Sequence, residues 1–198
     1  MFSLGREEIE LPEPASILVA ILAISFGFEG IGLVNAVHHP LGLTGGVLVG
    51  AIIGFILHEY AHRYVAVKES CYARFTLSKT GLLVTFFSGL LVSAGIPFAI
   101  LAPGYVKIAF CWGTPREENI AIAGPATNIA IAVAAIILRR VVATYSGFLA
   151  GIAAINAWFA LFNLLPFYPL DGSKIFRRNI AAWMIMIVIA AYLAVSAL

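Results

Sequence analysis

Six long apolar stretches, separated by short polar segments, dominate the pattern of hydrophobic and polar positions along the 198-residue chain. They cover about residues 15–37, 46–66, 82–103, 118–138, 146–168 and 180–198. Because a helix rises about 1.5 Å per residue, each stretch is long enough to cross the roughly 30 Å hydrocarbon core of a bilayer. The pattern therefore predicts an all-α polytopic membrane protein, with a single integral-membrane domain over 1–198.

The composition excludes two other classes of protein. Hydrophobic residues make up 62% of the chain and charged residues 11%. A soluble domain carries about a quarter charged residues, and a disordered chain combines high charge with low hydrophobicity. The net charge of +2 and the absence of a basic run give no reason to expect a nucleic-acid partner. The high hydrophobic content makes the lipid bilayer the expected surrounding. We expect Cys71 and Cys111 to be two buried small hydrophobic residues rather than a disulfide.

The third apolar stretch, 82–103, differs from the others because small and helix-breaking residues interrupt it. Ser88 and Gly89 are followed by Gly95 and Pro97. Such residues permit a turn inside the membrane where that turn is buried in protein. Residues 82–103 are therefore either one kinked span or a re-entrant hairpin.

The distribution of the twelve basic residues favours the hairpin, because cytoplasmic loops are enriched in Lys and Arg. If 82–103 crosses the membrane, seven basic residues lie on one side and five on the other. If it enters and leaves on one face, ten lie on one side, against only Arg139 and Arg140 on the other. This topology has about five transmembrane helices, a re-entrant hydrophobic hairpin, and a small membrane-edge β element formed by the strand-like segment GYVKIAFCW within 103–117.

Ionisable residues inside apolar segments indicate function, because a charge in the membrane is energetically unfavourable. The second apolar stretch carries HEYAH at 58–62, an HExxH motif. Positions i and i+4 share one helix face, so His58 and His62 can bind one metal ion, and Glu59 can reach a water molecule on it. The alternative to a metal site is a His–Glu cluster with a purely structural role. The motif favours a catalytic zinc, which takes three protein ligands.

The third ligand must come from elsewhere in the chain. His38 and His39 lie in the loop on the far side, and an acidic residue in a surface loop, such as Glu69, is expected to be solvated. Asp171, the only aspartate in the chain, follows the fifth apolar stretch. It reaches His58 only if that stretch runs toward the cytoplasm, and the ten-against-two topology has this property. Asp171 is therefore the predicted third ligand.

Three motifs in this order resemble the site-2 protease family, zinc metalloproteases that cut transmembrane substrates within the bilayer. They are HEYAH at 58–62, AGPATN at 123–128 and NLLPFYPLDG at 163–172. The resemblance covers a catalytic core of about 46–178, with a re-entrant and β insertion at 68–117. We expect a compact form without an appended sensor domain, because none fits in this length.

The resemblance implies a role for each matching residue. His58, His62 and Asp171 are implied as zinc ligands, Glu59 as the general base, and Asn163 as a group that holds the substrate or its oxyanion. Tyr168 stands where some members have asparagine, so no role is assigned there. Expected partners are transmembrane protein substrates, and the expected location is the cell membrane, with the active site toward the cytoplasmic side.

Several alternatives stay open at this stage. Asn163 could instead bond to a neighbouring helix, which is the role that we assign to Asn128. Glu29 lines the substrate path or pairs near the outer surface. A metal-ion or proton transporter would also place His, Glu and Asp in a membrane, but it predicts repeated halves, and the chain has no internal repeat. A zinc protease that uses a glutamate as third ligand is disfavoured by the sequence around Asp171.

Overall fold

The computed structural model describes residues 8–30, 33–96 and 99–197, with the side chains of Glu29 and Leu33 left out. The two roles considered for the Glu29 side chain, and the predicted turn at Pro97, therefore lie outside the described parts. The elements follow in the order β1 (Glu8–Ile9), α1 (Glu13–Glu29), α2 (Leu33–His38), α3 (Leu43–Lys68), β2 (Cys71–Ser78), α4 (Lys79–Ser93), β3 (Gly104–Cys111), α5 (Glu117–Val141), a 3-10 turn (Ala143–Tyr145), α6 (Ser146–Asn163), α7 (Asp171–Arg178) and α8 (Ile180–Ser196). The described chain is mostly helical, with one small sheet.

Three helical segments are long and apolar enough to cross a membrane: α3, α5, and the 3-10 turn together with α6. They pack against one another through small residues. A Cβ atom on Gly46 of α3 would collide with the backbone of Phe148 on α6, so only glycine permits this approach. Helix α8 packs on the other side of α6, where Leu193 contacts Ala132 and Ala157. These helices form the frame that holds the site.

The sheet has three antiparallel strands in the order β1-β2-β3. Phe75 and Leu77 of β2 lie two positions apart, so their side chains share one face of the strand, and both are buried against the helices. The sequence predicted β3, but it predicted neither β1 nor β2. Glu8 of β1 accepts hydrogen bonds from Lys107 at 2.7 Å and Tyr105 at 3.0 Å, and the bond from Lys107 lowers the pKa of Glu8.

The segment between β2 and β3 folds back on itself. Helix α4 leaves the end of β2, and the returning chain is held beside it by two buried hydroxyl groups. Ser88 accepts from the N–H of Ile100 at 2.9 Å, and Thr85 accepts from the N–H of Ala102 at 3.1 Å. The N–H of Ser78 donates to Pro103 O at 2.9 Å, so both ends of the segment meet at the sheet. The described parts of 82–103 therefore fold back on themselves, as the hairpin form requires and a single kinked span does not.

Two apolar stretches are shorter as helices than predicted. The first, predicted as 15–37, is not one helix, because α1 ends at Glu29 and Gly30 adopts a φ of 52° that a continuing helix does not allow. The fifth, predicted as 146–168, ends as a helix at Asn163. The prolines at 166 and 169 follow directly, and proline does not support a continuing helix.

The prediction that Cys71 and Cys111 are separate small hydrophobic residues is wrong. They form a disulfide that joins the first residue of β2 to the last residue of β3. The two residues are direct partners in the register of these strands, so their side chains meet. Their separation of 40 positions hides this pairing in the sequence.

Candidate metal centre

The site begins on α3, where His58 and His62 lie one helical turn apart. Both side chains are buried, with 6% and 7% exposure, on the face of α3 that packs against α5. Their Nε2 atoms are 2.9 Å apart. The i, i+4 spacing therefore places both histidines on one helix face, as the sequence predicted, and directs two imidazole nitrogens to one point.

Asp171 reaches the same point from the first residue of α7. Its Oδ2 atom lies 3.0 Å from Nε2 of His62 and 3.4 Å from Nε2 of His58. Ligand atoms of the three residues all lie within 4.8 Å of one another. The candidate metal ligands identified from the sequence thus come together, although Asp171 follows His62 by 109 positions.

The charge of Asp171 is adjusted by its neighbours. Burial raises the pKa of this carboxyl, and the imidazoles of His62 and His58 lower it by more, so that the pKa lies below its usual value. The ammonium of Lys174, one turn along α7, lies 3.9 Å from Oδ1. Oδ2 thus faces the two imidazoles while Oδ1 faces a cation, and the ionised form required of a metal ligand is favoured.

Each imidazole is held through its other nitrogen. Nδ1 of His62 lies 2.6 Å from the backbone carbonyl of Ile120, and Nδ1 of His58 lies 2.6 Å from Oδ1 of Asn128. A carbonyl oxygen only accepts, so Nδ1 of His62 must carry the proton, and its Nε2 keeps a free lone pair. Partners of this kind are typical of histidines that bind metals.

Helix α5 comes unusually close to the site because residue 124 is glycine. A Cβ atom on Gly124 would collide with Nε2 of both His58 and His62. The close contact between α5 and α3 at Gly124 therefore lies directly against the candidate ligands.

Glu59 occupies the next position on α3 and is partly buried. Its carboxylate faces the backbone N–H of Val106 on β3. Within the described strands, β3 has a neighbour on one side only, so the sheet presents an edge near Glu59. A carboxylate beside a metal-binding point is what general base catalysis of hydrolysis requires.

Asn163 is not brought into contact with these groups. It is the last residue of α6 and partly buried, and its Nδ2 donates to the carbonyl of Phe159 in the same helix at 3.0 Å. The role of Asn163 in substrate binding therefore stays a prediction.

Two residues that hold the site together, Asn128 and Glu69, were not predicted to do so from the sequence. Asn128 makes the expected bond to a neighbouring helix, but its partner is the candidate ligand His58, and it is itself bonded to Asn156 at 3.0 Å. Glu69 is not merely solvated, because it accepts hydrogen bonds from Arg116 N at 3.1 Å and Asn119 at 3.2 Å. The bond from Arg116 lowers the pKa of Glu69, and together the two bonds fix the start of α5 beside the end of α3.

The chain is similar along most of its length to proteins named "Putative zinc metalloprotease". One from Methanocaldococcus jannaschii is 34% identical over 88% of this chain and 88% of its own length. A Bacillus subtilis protein is 31% identical over 70% of both chains. One from Mycolicibacterium smegmatis is 27% identical over 80% of this chain and 68% of its own.

No family model matches the chain, and no solved structure matches it. The similarity to the Methanocaldococcus jannaschii protein covers 88% of each chain, and it assigns the family. With its HExxH helix and the convergent Asp171, the chain belongs to the site-2 protease family.

Proposed function

We propose that this protein is an intramembrane zinc metalloprotease that hydrolyses peptide bonds within the transmembrane segments of other membrane proteins. One observation carries the proposal. Asp171 converges with His58 and His62, which lie with Glu59 on α3, a helix that is long and apolar enough to span a membrane. The metalloprotease names of the relatives support the same class of chemistry.

The donor set fits zinc. Two imidazole nitrogens and one carboxylate oxygen are ligand types that catalytic zinc sites use, and three protein ligands leave a further position for water or substrate. Zinc bound there would supply Lewis acidity, which promotes ionisation of water and polarises a peptide carbonyl. One ion per chain is expected, held by His58, His62 and Asp171.

Two residues would supply proton transfer and oxyanion stabilisation. Glu59 would take a proton from the attacking water and pass it to the leaving amine. Asn163 would donate its amide N–H to the developing oxyanion, an interaction typically worth about 3–4 kcal/mol. Its second amide hydrogen is available for this, because one suffices for the bond to Phe159.

The depth of the site supports cleavage inside the bilayer. His58 precedes the end of α3 at Lys68 by ten residues, which is about 15 Å along the helix axis. The hydrocarbon core is roughly 30 Å thick, so the site would lie well below the membrane surface. Water would have to reach it through a polar path.

We further propose five crossings, by α1, α3, α5, α6 and α8, with α4 entering as a re-entrant hairpin. Contacts at one end of the bundle support this arrangement. Arg63, near the end of α3, pairs with Glu13 at the start of α1 at 3.1 Å, and Glu69 binds the start of α5. Ten of the twelve basic residues would then lie at this end, which would face the cytoplasm of a cell membrane. The catalytic core would be 46–178, with the insertion at 68–117.

The substrate would bind as an extended segment. The carbonyls of a helix are occupied by its own hydrogen bonds, so a transmembrane helix must open locally before it is cut. The edge of β3 near Glu59 offers the backbone hydrogen bonding that an extended peptide needs. Preferred substrates would therefore be transmembrane helices with helix-breaking residues.

Cleavage in reconstituted vesicles tests the proposal. We expect a transmembrane substrate with one central glycine to be cut about fivefold faster than its all-leucine counterpart, because glycine weakens a helix by about 1 kcal/mol. A zinc chelator should stop cleavage, and added zinc should restore it. Equal rates for the two substrates would contradict the extended binding mode. Zinc or proton flux without cleavage would instead favour the transporter alternative.

A further inference from the structure

Two buried asparagines lie between the three central helices and lead toward the metal centre. Asn128 of α5 and Asn156 of α6 are both fully buried, with 0% exposure. A buried amide must satisfy its hydrogen bonds within the protein, so its partners determine which way it points. The direction of each amide can therefore be worked out from the groups around it.

Asn156 is fixed by backbone carbonyls. Its Nδ2 lies 3.1 Å from the carbonyl of Gly50 on α3 and 2.9 Å from the carbonyl of Ile152 on its own helix. Both groups only accept, so they require the amide nitrogen of Asn156 on that side. Its oxygen Oδ1 must then face Asn128.

Asn128 is fixed in the same manner by Asn156. Its Nδ2 lies 3.0 Å from Oδ1 of Asn156 and 3.2 Å from the carbonyl of Gly54, and both are acceptors. Its own Oδ1 therefore faces Nδ1 of His58, at 2.6 Å. This oxygen can only accept, so Nδ1 of His58 must carry the proton.

The consequence for His58 is a single tautomer and a single ring orientation. With the proton on Nδ1, the lone pair of Nε2 points to Asp171, where a metal ligand needs it. His62 reaches the same state through the backbone carbonyl of Ile120, which no side-chain substitution removes. The Nδ1 partner is thus a side chain for His58 and a backbone carbonyl for His62.

We propose that Asn156 and Asn128 form an amide relay that sets the tautomer and orientation of His58 for zinc. Both are positioning residues, and Asn156 acts on the metal centre without touching it. The relay rests on the proposed function, because it presupposes that His58 binds zinc. Glycine at 54 makes the relay sterically feasible, since a Cβ atom there would collide with the side chain of Asn156.

Zinc affinity, measured by competition with a chelator, tests the relay in the purified full-length protein. Loss of a group that holds a metal-binding histidine typically weakens metal binding 10–100-fold. We expect about this loss for Asn128→Leu, and a smaller loss for Asn156→Leu. The visible absorption spectrum of the cobalt-substituted protein should shift in the same direction in both variants, because both release the same imidazole.

A matched control separates the relay from packing. Thr85 is also fully buried and hydrogen-bonded, but it lies in α4 beside Ala102. Thr85→Val should lower thermal stability without changing zinc affinity or the cobalt spectrum. If a leucine variant fails to fold, zinc affinity and the cobalt spectrum are measured on the alanine variant at the same position.

The relay is overturned if Asn156→Leu is less stable but has wild-type zinc affinity and a wild-type cobalt spectrum. A wild-type protein that binds no zinc and cleaves nothing would instead overturn the proposed function. The two failures are therefore distinguishable in the same set of measurements.

Discussion

At the scale of single residues, the site is defined by the directions of a few polar atoms. The imidazoles of His58 and His62 each donate Nδ1–H to an oxygen, so that both Nε2 lone pairs converge near Oδ2 of Asp171. In the structure, these three groups lie within hydrogen-bonding or ion-pairing distance of one another. With zinc, they would become its ligands.

Asp171→Asn tests the third ligand. An amide oxygen is a poor replacement for a carboxylate on zinc, so we expect zinc affinity to fall by more than about 100-fold, beyond the effect of losing a partner of a ligand. The measurement is chelator competition followed by metal analysis. The control is Glu10→Gln, an exposed change away from the site, which should keep full zinc occupancy. Full zinc occupancy in Asp171→Asn would show that Asp171 is not a ligand.

The sequence was sufficient to predict the candidate ligands but not the groups that hold them. His58 and His62 share one helix face by spacing alone, and Asp171 followed from the number of crossings. Asn156 has no such signal, because it acts through Asn128, 28 residues away, and an asparagine in an apolar helix does not reveal its partner. Glu69 was undetectable for the same reason, since its partners begin 47 residues later.

At the scale of elements, the site depends on how closely α5 approaches α3. Gly124 permits contact with both imidazoles, and the carbonyl of Ile120, one turn earlier on α5, holds His62. One helix thus supplies the space for the ligands and the groups that orient them.

Gly124→Ala tests this approach. The new methyl group would collide with the imidazoles, so we expect the free energy of unfolding to fall by about 1–3 kcal/mol, as is typical of overpacking. Zinc retention should fall with it, because the ligands must move. Thermal unfolding in detergent and metal analysis measure the two effects.

Gly147→Ala is the matched control for that change. The nearest atom to a Cβ at Gly147 of α6 is the backbone nitrogen of Leu43, at an ordinary 3.8 Å. This variant should be as stable as the wild type or slightly more so, since alanine is favoured over glycine in a helix. Unchanged stability and zinc retention in Gly124→Ala would contradict the close-contact account.

The elements that the sequence predicted well are those with a strong local pattern. Long apolar runs became α3, α5 and α6, and the strand-like segment became β3. β1 has two residues and exists only by pairing with β2, so no local pattern marks it. The disulfide likewise depends on the register of β2 and β3, which a count of two cysteines does not reveal.

At the scale of the whole molecule, the few charged residues are informative because the rest of the chain is apolar. The distribution of basic residues favoured a hairpin at 82–103, and the described part of this segment does fold back to the sheet. The same topology brings Asp171 to His58, and the structure has that convergence. Two independent features of the chain therefore lead to one arrangement.

The most direct test of the central claim is a paired measurement on Glu59→Gln. If Glu59 is the general base of a zinc protease, the purified variant should retain about one zinc per chain, as the wild type does, because glutamine leaves the ligands intact. Cleavage of a transmembrane substrate in vesicles should fall by at least about 100-fold, the usual contribution of general base catalysis. Wild-type cleavage by Glu59→Gln, with zinc still bound, would contradict the account.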